Sequence, residues 1–279
     1  MEDRKEGVLY LVATPIGNLD DITLRAIKVL EEADLIAAED TRHTLKLLNH
    51  LNISKPMVSY HRHNEEFRCD FLIKELKEGK NIALVSDAGT PGISDPGEEI
   101  VKACIGENIK VVPIPGACAM INALITSGIS TNEFCFFGFL PLNKKNRKEK
   151  LEEIKNIDKT IILYEAPHKI KTTLEDLKDI LDKNRKVVLA REITKVYEEF
   201  IRGNIDTIIE RADNLKGEMV LIIEGNLEKK ENELNNLSLD EHYNYYKKQG
   251  FSKKDIIKKI AKDRNVNKNE IYKQFINKE

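Results

Sequence analysis

No apolar run in this chain approaches the roughly 20 residues needed to cross a bilayer, so no membrane-spanning helix is expected. The opening MEDRKEGVLY carries charges without a following apolar stretch and small-residue cleavage site, so no secretory signal is expected there. Cysteine is scarce: Cys69, Cys104, Cys118 and Cys135 stand far apart and form no C-x-x-C pair. That spacing argues against a zinc site and predicts reduced thiols in a cytoplasmic protein. Basic residues are missing from one conspicuous place. The stretch SDAGTPGISDPG, residues 86–97, holds three glycines, two prolines and two aspartates but no lysine or arginine. Its glycine spacing is not G-x-G-x-x-G and no G-K-[ST] follows, which argues against a nicotinamide dinucleotide site and a P-loop.

What is present describes a water-soluble globular protein, 41% hydrophobic and 33% charged. At 279 residues two domains are expected rather than one core. VLYLVA, DLIAA, MVSY, NIALVS and KVVPI read as short buried strands, and amphipathic helical patterns separate them. Such alternation predicts an α/β fold, with a parallel-type sheet covered by helices on both faces. FCFFGFLP at 134–141 reads as a seam, after which TIILYEA, KVVLAREI, EEFIRG and GEMVLIIEG begin a second α/β series. The expected organisation is a first α/β domain over 1–140, a second over 141–225, a linker over 226–237 and a helical module over 238–279. That last segment carries eleven Lys/Arg against six Asp/Glu, whereas the rest of the chain is net acidic. Three short helices with a basic surface resemble a helix-turn-helix unit for a polyanion; a packing or dimerisation element has the same pattern.

SDAGTPGISDPG follows a strand, and open α/β sheets place ligands at strand carboxyl ends. Asp87, just past the strand end, would repel polyphosphate and favour a ligand carrying positive charge. Gly89 and Gly92 allow close backbone approach. A sulfonium bearing an α-amino group fits. Asp95 reads differently: Asp95-Pro96-Gly97-Glu98 has the order of a helix cap, a proline at the first helical position and a glutamate at the third. Two further loops repeat the strand-to-helix plan. One is PGACA at 115–119, where small side chains leave room at a helix start. The other is ATPIGNLDDITLRA, in which Asp20 or Asp21 is expected to cap a helix. The three loops are expected to gather on one sheet edge, although tight packing turns would also account for each.

TPIGNLDDITLRA (14–26), AEDTR (38–42), SYHRHNE (59–65), SDAGTPGISDPG, PGACA, YEAPHKI (164–170), LAREITKVYEE (189–199) and GEMVLIIEG (217–225) together resemble the tetrapyrrole methylase superfamily. Within it, EDTR and DAGTPG resemble the ribosomal RNA small subunit methyltransferase I branch. Lys169 departs from the arginine usual there and lacks its planar fork. The resemblance implies two αβα domains with the active site in the cleft between them, and a homodimer. It also implies methyl transfer from S-adenosylmethionine to the ribose 2′-hydroxyl of a decoding-centre cytidine (cytidine 1402) in 16S rRNA, in the context of the 30S subunit. Carried over by position, the cofactor contacts are Pro15, Ser86, Asp87, Ala88, Gly89, Cys118, Ala119, Tyr164, Ala190, Glu218 and Met219.

A ribose hydroxyl is a poor acid and calls for a base or acceptor, for which Glu39, Asp40, His63 and Glu65 are the candidates. Asp40 has an alternative role as a helix cap. Arg42, Arg62, Asn64, Lys253 and Lys254 are the expected RNA contacts. His61 and His63 have no matching third ligand, so no metal is expected. Two other functions remain open: a methylase of a tetrapyrrole or other small molecule, and a nucleic-acid binder without catalysis.

Overall fold

In a computed structural model, residues 6–212, 215–226, 233–264 and 266–276 are described here. The chain divides into two compact units, Met1–Gly225 and Asn226–Glu279. In chain order the first unit contains β1 (Val8–Val12), α1 (Leu24–Glu32), β2 (Leu35–Ala38), α2 (Thr41–His50), β3 (Met57–Ser59), α3 (Glu65–Lys77), β4 (Ile82–Val85), α4 (Glu98–Gly106), β5 (Lys110–Ile114) and α5 (Ala119–Ser127). It continues with β6 (Phe134–Phe139), α6 (Lys144–Asn156), β7 (Thr160–Glu165), α7 (Ile170–Lys178), β8 (Lys186–Arg191), β9 (Glu199–Asn204), α8 (Ile205–Arg211) and β10 (Met219–Ile223). The second unit holds α9 (Leu239–Lys248), α10 (Lys253–Asp263) and α11 (Lys268–Ile276).

The first sheet runs in the order β3-β2-β4-β1-β5, and all its pairings are parallel. Every residue of β2 and β4 is buried, as continuous apolar runs such as IALV require when helices cover both faces. One face packs Leu9, Leu35, Leu72, Leu76, Ile82 and Ile100; the other packs Val12, Leu30, Ile36, Leu48, Ala83 and Ile114.

The second sheet has the order β6-β7-β10-β8-β9. Only β6–β7 is parallel; the other pairings are antiparallel. β6 lies within the FCFFGFLP seam and hydrogen-bonds to β7, so the second sheet begins six residues ahead of Leu140. Helices α6 to α8 contribute to the core on one face. The other face receives Ala123 and Leu124 of α5, packed against Ile162, Val188, Val220 and Ile222. Thus α5 leaves the first sheet and lands on the second, which fixes its N-terminus between the two.

Capping differs from expectation in the loop after β1. Asn18 caps a single 3-10 turn over Leu19–Asp21, and Thr23, not Asp20 or Asp21, caps α1 by accepting from the Ala26 amide at 3.1 Å. Thr23 alone sits three residues before that amide in extended geometry, which places its hydroxyl on the donor.

In the second unit Ser252 caps α10 as expected, and Ser238 and Glu241 form a full capping box on α9. Tyr246, Ile256, Ile257, Ile260 and Ile271 form the core. Beside it, Asp263 accepts from the Tyr246 hydroxyl (2.6 Å) and pairs with His242 (3.1 Å). Of the expected linker 226–237, residues 227–232 lie outside the described residues. Glu233–Asn236 form a 3-10 turn whose Asn235 amide donates to the Asp263 carbonyl, so these residues belong to the helical unit. Among the described residues no helix is long and apolar enough to cross a membrane.

Candidate active site

Parallel strands bring the loops after β1, β2, β4 and β5 to one edge of the first sheet, and backbone bonds lock them together. Thr14 and Gly89 exchange two hydrogen bonds (2.8 and 3.0 Å), and the Thr14 hydroxyl donates to the Ser86 carbonyl. The Asp40 amide donates to Asp87 Oδ1 at 3.0 Å, while the Asp87 amide donates to Glu39 Oε2 at 3.4 Å. The Thr90 hydroxyl donates to the Ala117 carbonyl, joining this loop to PGACA. Each such bond contributes about 1 kcal/mol net, so together they hold the edge rigid. Gly89 adopts φ +85°, and a Cβ there would stand 3.3 Å from Ile16 Cγ2. A side chain at that position is strained as well as crowded.

The locked loops form one wall of a cavity of about 390 Å³, within the roughly 300–1,000 Å³ range of small-ligand sites. Glu39, Asp87 and Asp95 supply acid groups; Ala88, Gly89 and Ala119 keep the wall low. Across from them the second sheet contributes Phe139, Tyr164, Met219 and Val220, with Ile193 and Glu218 nearby. The Tyr164 hydroxyl accepts from the Met120 amide in the first turn of α5 (3.2 Å), and burial pushes its pKa up to about 12. Tyr164 therefore pins the N-terminus of α5, whose Cys118 cap residue provides no side-chain bond of its own.

The acid wall is electrostatically uneven. Burial, then the charges of Glu39 and Asp87, push the Asp95 carboxyl up to about 7, with Arg62 and the Ser86 hydroxyl acting in the opposite direction. Glu39 is also raised, by burial first and by Asp87, against the Asp87 amide and Arg62. At neutral pH Asp95 is thus poised to take or give a proton inside the cavity.

Asp95 does not cap α4, contrary to the pattern expectation. The cap residue is Gly97 at φ +144°, and the helix starts at Glu98. The Gly97 amide donates to Glu65 Oε1 (3.1 Å), and the Gly92 amide donates to the Pro96 carbonyl. These bonds fold the loop back on itself and turn Asp95 away from the helix toward the cavity.

Of the eleven expected cofactor residues, Asp87, Ala88, Gly89, Cys118, Ala119, Tyr164, Glu218 and Met219 line the cavity. Three do not. Ser86 is buried beneath the loop, Pro15 faces a small side pocket with Ser86, Asp87 and His43, and Ala190 lies buried in the second sheet. Among the base candidates only Glu39 reaches the cavity. Asp40 caps α2 and grips Arg42 through two contacts (3.0 and 2.7 Å), which hold its carboxyl well below the usual carboxylate range. Glu65 is committed to the Gly97 amide, and His63 is exposed with its ring 6.0 Å from that of His61.

Among the expected RNA contacts, Arg42 is exposed but paired with Asp40, and Arg62 donates to the Ser94 carbonyl at the cavity rim. Asn64 shapes the turn after β3 by accepting from the His61 amide (2.8 Å) and donating to the Ser59 carbonyl. Lys253 and Lys254 are exposed on the first turn of α10. Among the described residues no group of three or more His, Cys, Asp or Glu is placed to hold a metal ion. Asp95 and Phe139 were missed in the sequence. A second carboxylate in a glycine-rich loop, and a glycine interrupting an aromatic strand, were the signals available for them.

The fold and site define a class: a two-sheet α/β protein with an acidic ligand cavity between a parallel and a mixed sheet. Residues 8–209 match the family of tetrapyrrole (corrin/porphyrin) methylases. The chain is 54% identical over 272 residues to a ribosomal RNA small subunit methyltransferase I of Halalkalibacterium halodurans, covering 96% of this chain and 94% of the relative. It is 50% identical over 275 residues to the protein of that name in Bacillus subtilis, with the same coverage of both. Among solved structures the fold is shared with the methyltransferase CobJ (TM-score 0.60, 17% identity, 79% of this chain and 95% of that one). It is also shared with uroporphyrin-III C-methyl transferase from Thermus thermophilus complexed with S-adenyl homocysteine (TM-score 0.57, 15% identity, 78% and 97%). The chain belongs to the tetrapyrrole methylase family and, within it, to the ribosomal RNA small subunit methyltransferase I enzymes.

Proposed function

We propose that this chain is an S-adenosylmethionine-dependent methyltransferase that acts on the ribose 2′-hydroxyl of a decoding-centre cytidine in 16S rRNA, within the 30S subunit and as a homodimer. The observation that carries the reading is the position of Asp95, a carboxyl in the wall of a small-ligand cavity whose pKa is raised by burial and by the neighbouring Glu39 and Asp87. The residues present suit the cofactor. The carboxylates of Asp87 and Glu39 favour a ligand with sulfonium and ammonium charge, the small Ala88, Gly89 and Ala119 permit close approach, and Met219, Val220 and Tyr164 offer an apolar bed. Bound there, S-adenosylmethionine supplies an electrophilic methyl group.

The protein's own part is orientation and proton removal. Asp95 accepts the hydroxyl proton as the oxygen attacks, and its raised pKa makes it a stronger base than an ordinary aspartate. Glu39 and Asp87 keep that pKa high until a cationic ligand offsets them. Arg62, anchored on the Ser94 carbonyl next to Asp95, is placed to receive an RNA phosphate. The basic C-terminal unit, with Lys253 and Lys254, adds sequence-independent attraction to RNA.

The test incubates the protein with methyl-labelled S-adenosylmethionine and 30S subunits that lack the modification. Label at one cytidine, whose 3′ linkage becomes resistant to alkaline cleavage, is the expected result. Label at a position that stays alkali-sensitive overturns the 2′-O assignment.

A further inference from the structure

Phe139 sits at the end of β6, lines the cavity and is nevertheless 55% exposed. Its direction is set by an irregularity. Along the β6–β7 pairing, Phe136 partners Ile162, but the next partner of the strand is Gly138 with Leu163, followed by Phe139 with Tyr164. Phe137 is the extra residue of this bulge, and it packs with the core beneath α6 and α7. Without it, the two-residue alternation would send position 139 to that same core face. With it, Phe136 and Phe139 both meet Tyr164 edge-on, at 4.9 and 5.8 Å. The bulge needs Gly138 at φ +61°, where a Cβ would come within 3.0 Å of Ser94 Oγ. A glycine therefore brings the strand end against the loop that carries Asp95.

Three groups now stand in sequence on one rim. Arg62 donates to the Ser94 carbonyl, Asp95 follows Ser94, and Gly138 abuts Ser94 with Phe139 next to it. A cation, a base and an exposed aromatic ring arranged around one residue match the three parts of a nucleotide: phosphate, ribose and nucleobase. Resting on the ribosomal RNA reading above, we infer that Phe139 is the platform on which the nucleobase of the target nucleotide stacks when its ribose is presented to Asp95. Unstacked bases are commonly received in this way, because every base offers a π face to an aromatic ring. Phe139 is thus a substrate-positioning residue of the second sheet.

The experiment compares wild type with Phe139→Ala, Phe139→Leu and Phe139→Tyr. It measures steady-state methylation of unmodified 30S subunits, calorimetric affinity for S-adenosylmethionine and thermal midpoint. Phe139→Ala and Phe139→Leu are expected to raise KM for the subunit by roughly fivefold or more. Phe139→Tyr restores the wild-type value, and cofactor affinity stays within about twofold throughout, below the roughly fivefold minimum expected of lost stacking. Phe139→Leu behaving as wild type overturns the inference, since apolar packing would then suffice. Phe139→Ala matching wild type, or losing cofactor affinity, overturns it as well. In those cases the ribosomal reading survives; a wild-type protein that leaves the ribosomal RNA unmethylated removes both.

Discussion

The two walls of the cavity are built by different means. The first sheet presents loops at the carboxyl ends of parallel strands, stitched by bonds such as Thr14–Gly89 and Asp40–Asp87, and they carry the acid groups. The second sheet presents strand residues, Phe139, Tyr164 and Met219, which are apolar or aromatic. The difference teaches a division of labour. A rigid loop edge fixes the acid groups, whereas the mixed sheet supplies an apolar and aromatic surface. The walls meet where the Tyr164 hydroxyl receives the first-turn amide of α5.

The largest effect is expected on the loop wall. Asp95→Asn should lower the rate of methyl transfer by on the order of 10²–10⁴, with cofactor affinity kept. In wild type kcat/KM for the cofactor should rise with pH through about 7, the value of the free protein, because the ionised form is the base. Stability runs the other way. With its folded-state pKa raised from 3.8 to about 7, Asp95 contributes stability below pH 4 that is lost as pH rises through 7. Asp95→Asn should therefore flatten the pH–rate ramp and raise the thermal midpoint at pH 8, but not at pH 4. A ramp that persists in the variant would assign the base elsewhere.

Next in size, Asp87→Asn keeps an acceptor for the Asp40 amide but removes the charge. Calorimetry should show S-adenosylmethionine binding weakened by about 10- to 100-fold, the range for losing a charged partner. Unchanged affinity would take Asp87 out of the ligand's reach. Tyr164→Phe tests the junction between the walls. It leaves the Met120 amide without its acceptor, at a cost of about 1–3 kcal/mol in stability by denaturant titration. Its effect on cofactor affinity should be smaller than that of Asp87→Asn, on the order of several-fold. The smallest change belongs to the second unit: Lys253→Gln with Lys254→Gln should reduce the salt slope of 30S binding by about one for each phosphate no longer neutralised. Cofactor affinity should not move. An unaltered salt slope would show that these lysines do not face RNA.

Much of the loop wall was legible in the sequence. Asp87, Ala88 and Gly89 could be placed because a β-branched run followed by glycines and an unpaired acid marks a strand end with a ligand-facing turn. Cys118 and Ala119 followed from small residues at a helix start. Asp95 was not legible, because Asp-Pro-Gly-Glu has the order of a helix cap. Only Gly97 at positive φ, with Glu65 on its amide, shows that the helix begins later. Asp40, a base candidate in AEDTR with a helix cap as its alternative, takes the cap of α2 and pairs with Arg42. Ser86 and Pro15 directly precede the lining residues Asp87 and Ile16, and one step along the chain turns a side chain elsewhere. Ala190 pairs with the lining Val220 but is fully buried in the second sheet.

What the sequence by itself determined is whatever depends on local pattern: the alternation of strands and helices, the three strand-end loops and the basic three-helix unit. Periodicity and turn chemistry act over a few residues, so they are readable in order along the chain. Tertiary structure alone decided which carboxyl has its pKa raised in the cavity wall and which aromatic ring faces the cavity. The Asp95 pKa depends on burial beside Glu39 and Asp87, which lie 56 and 8 residues away along the chain. Phe139 owes its direction to one extra residue in the pairing with β7. Desolvation, charge proximity and strand register are properties of neighbours brought together by folding, and no single stretch of sequence contains them.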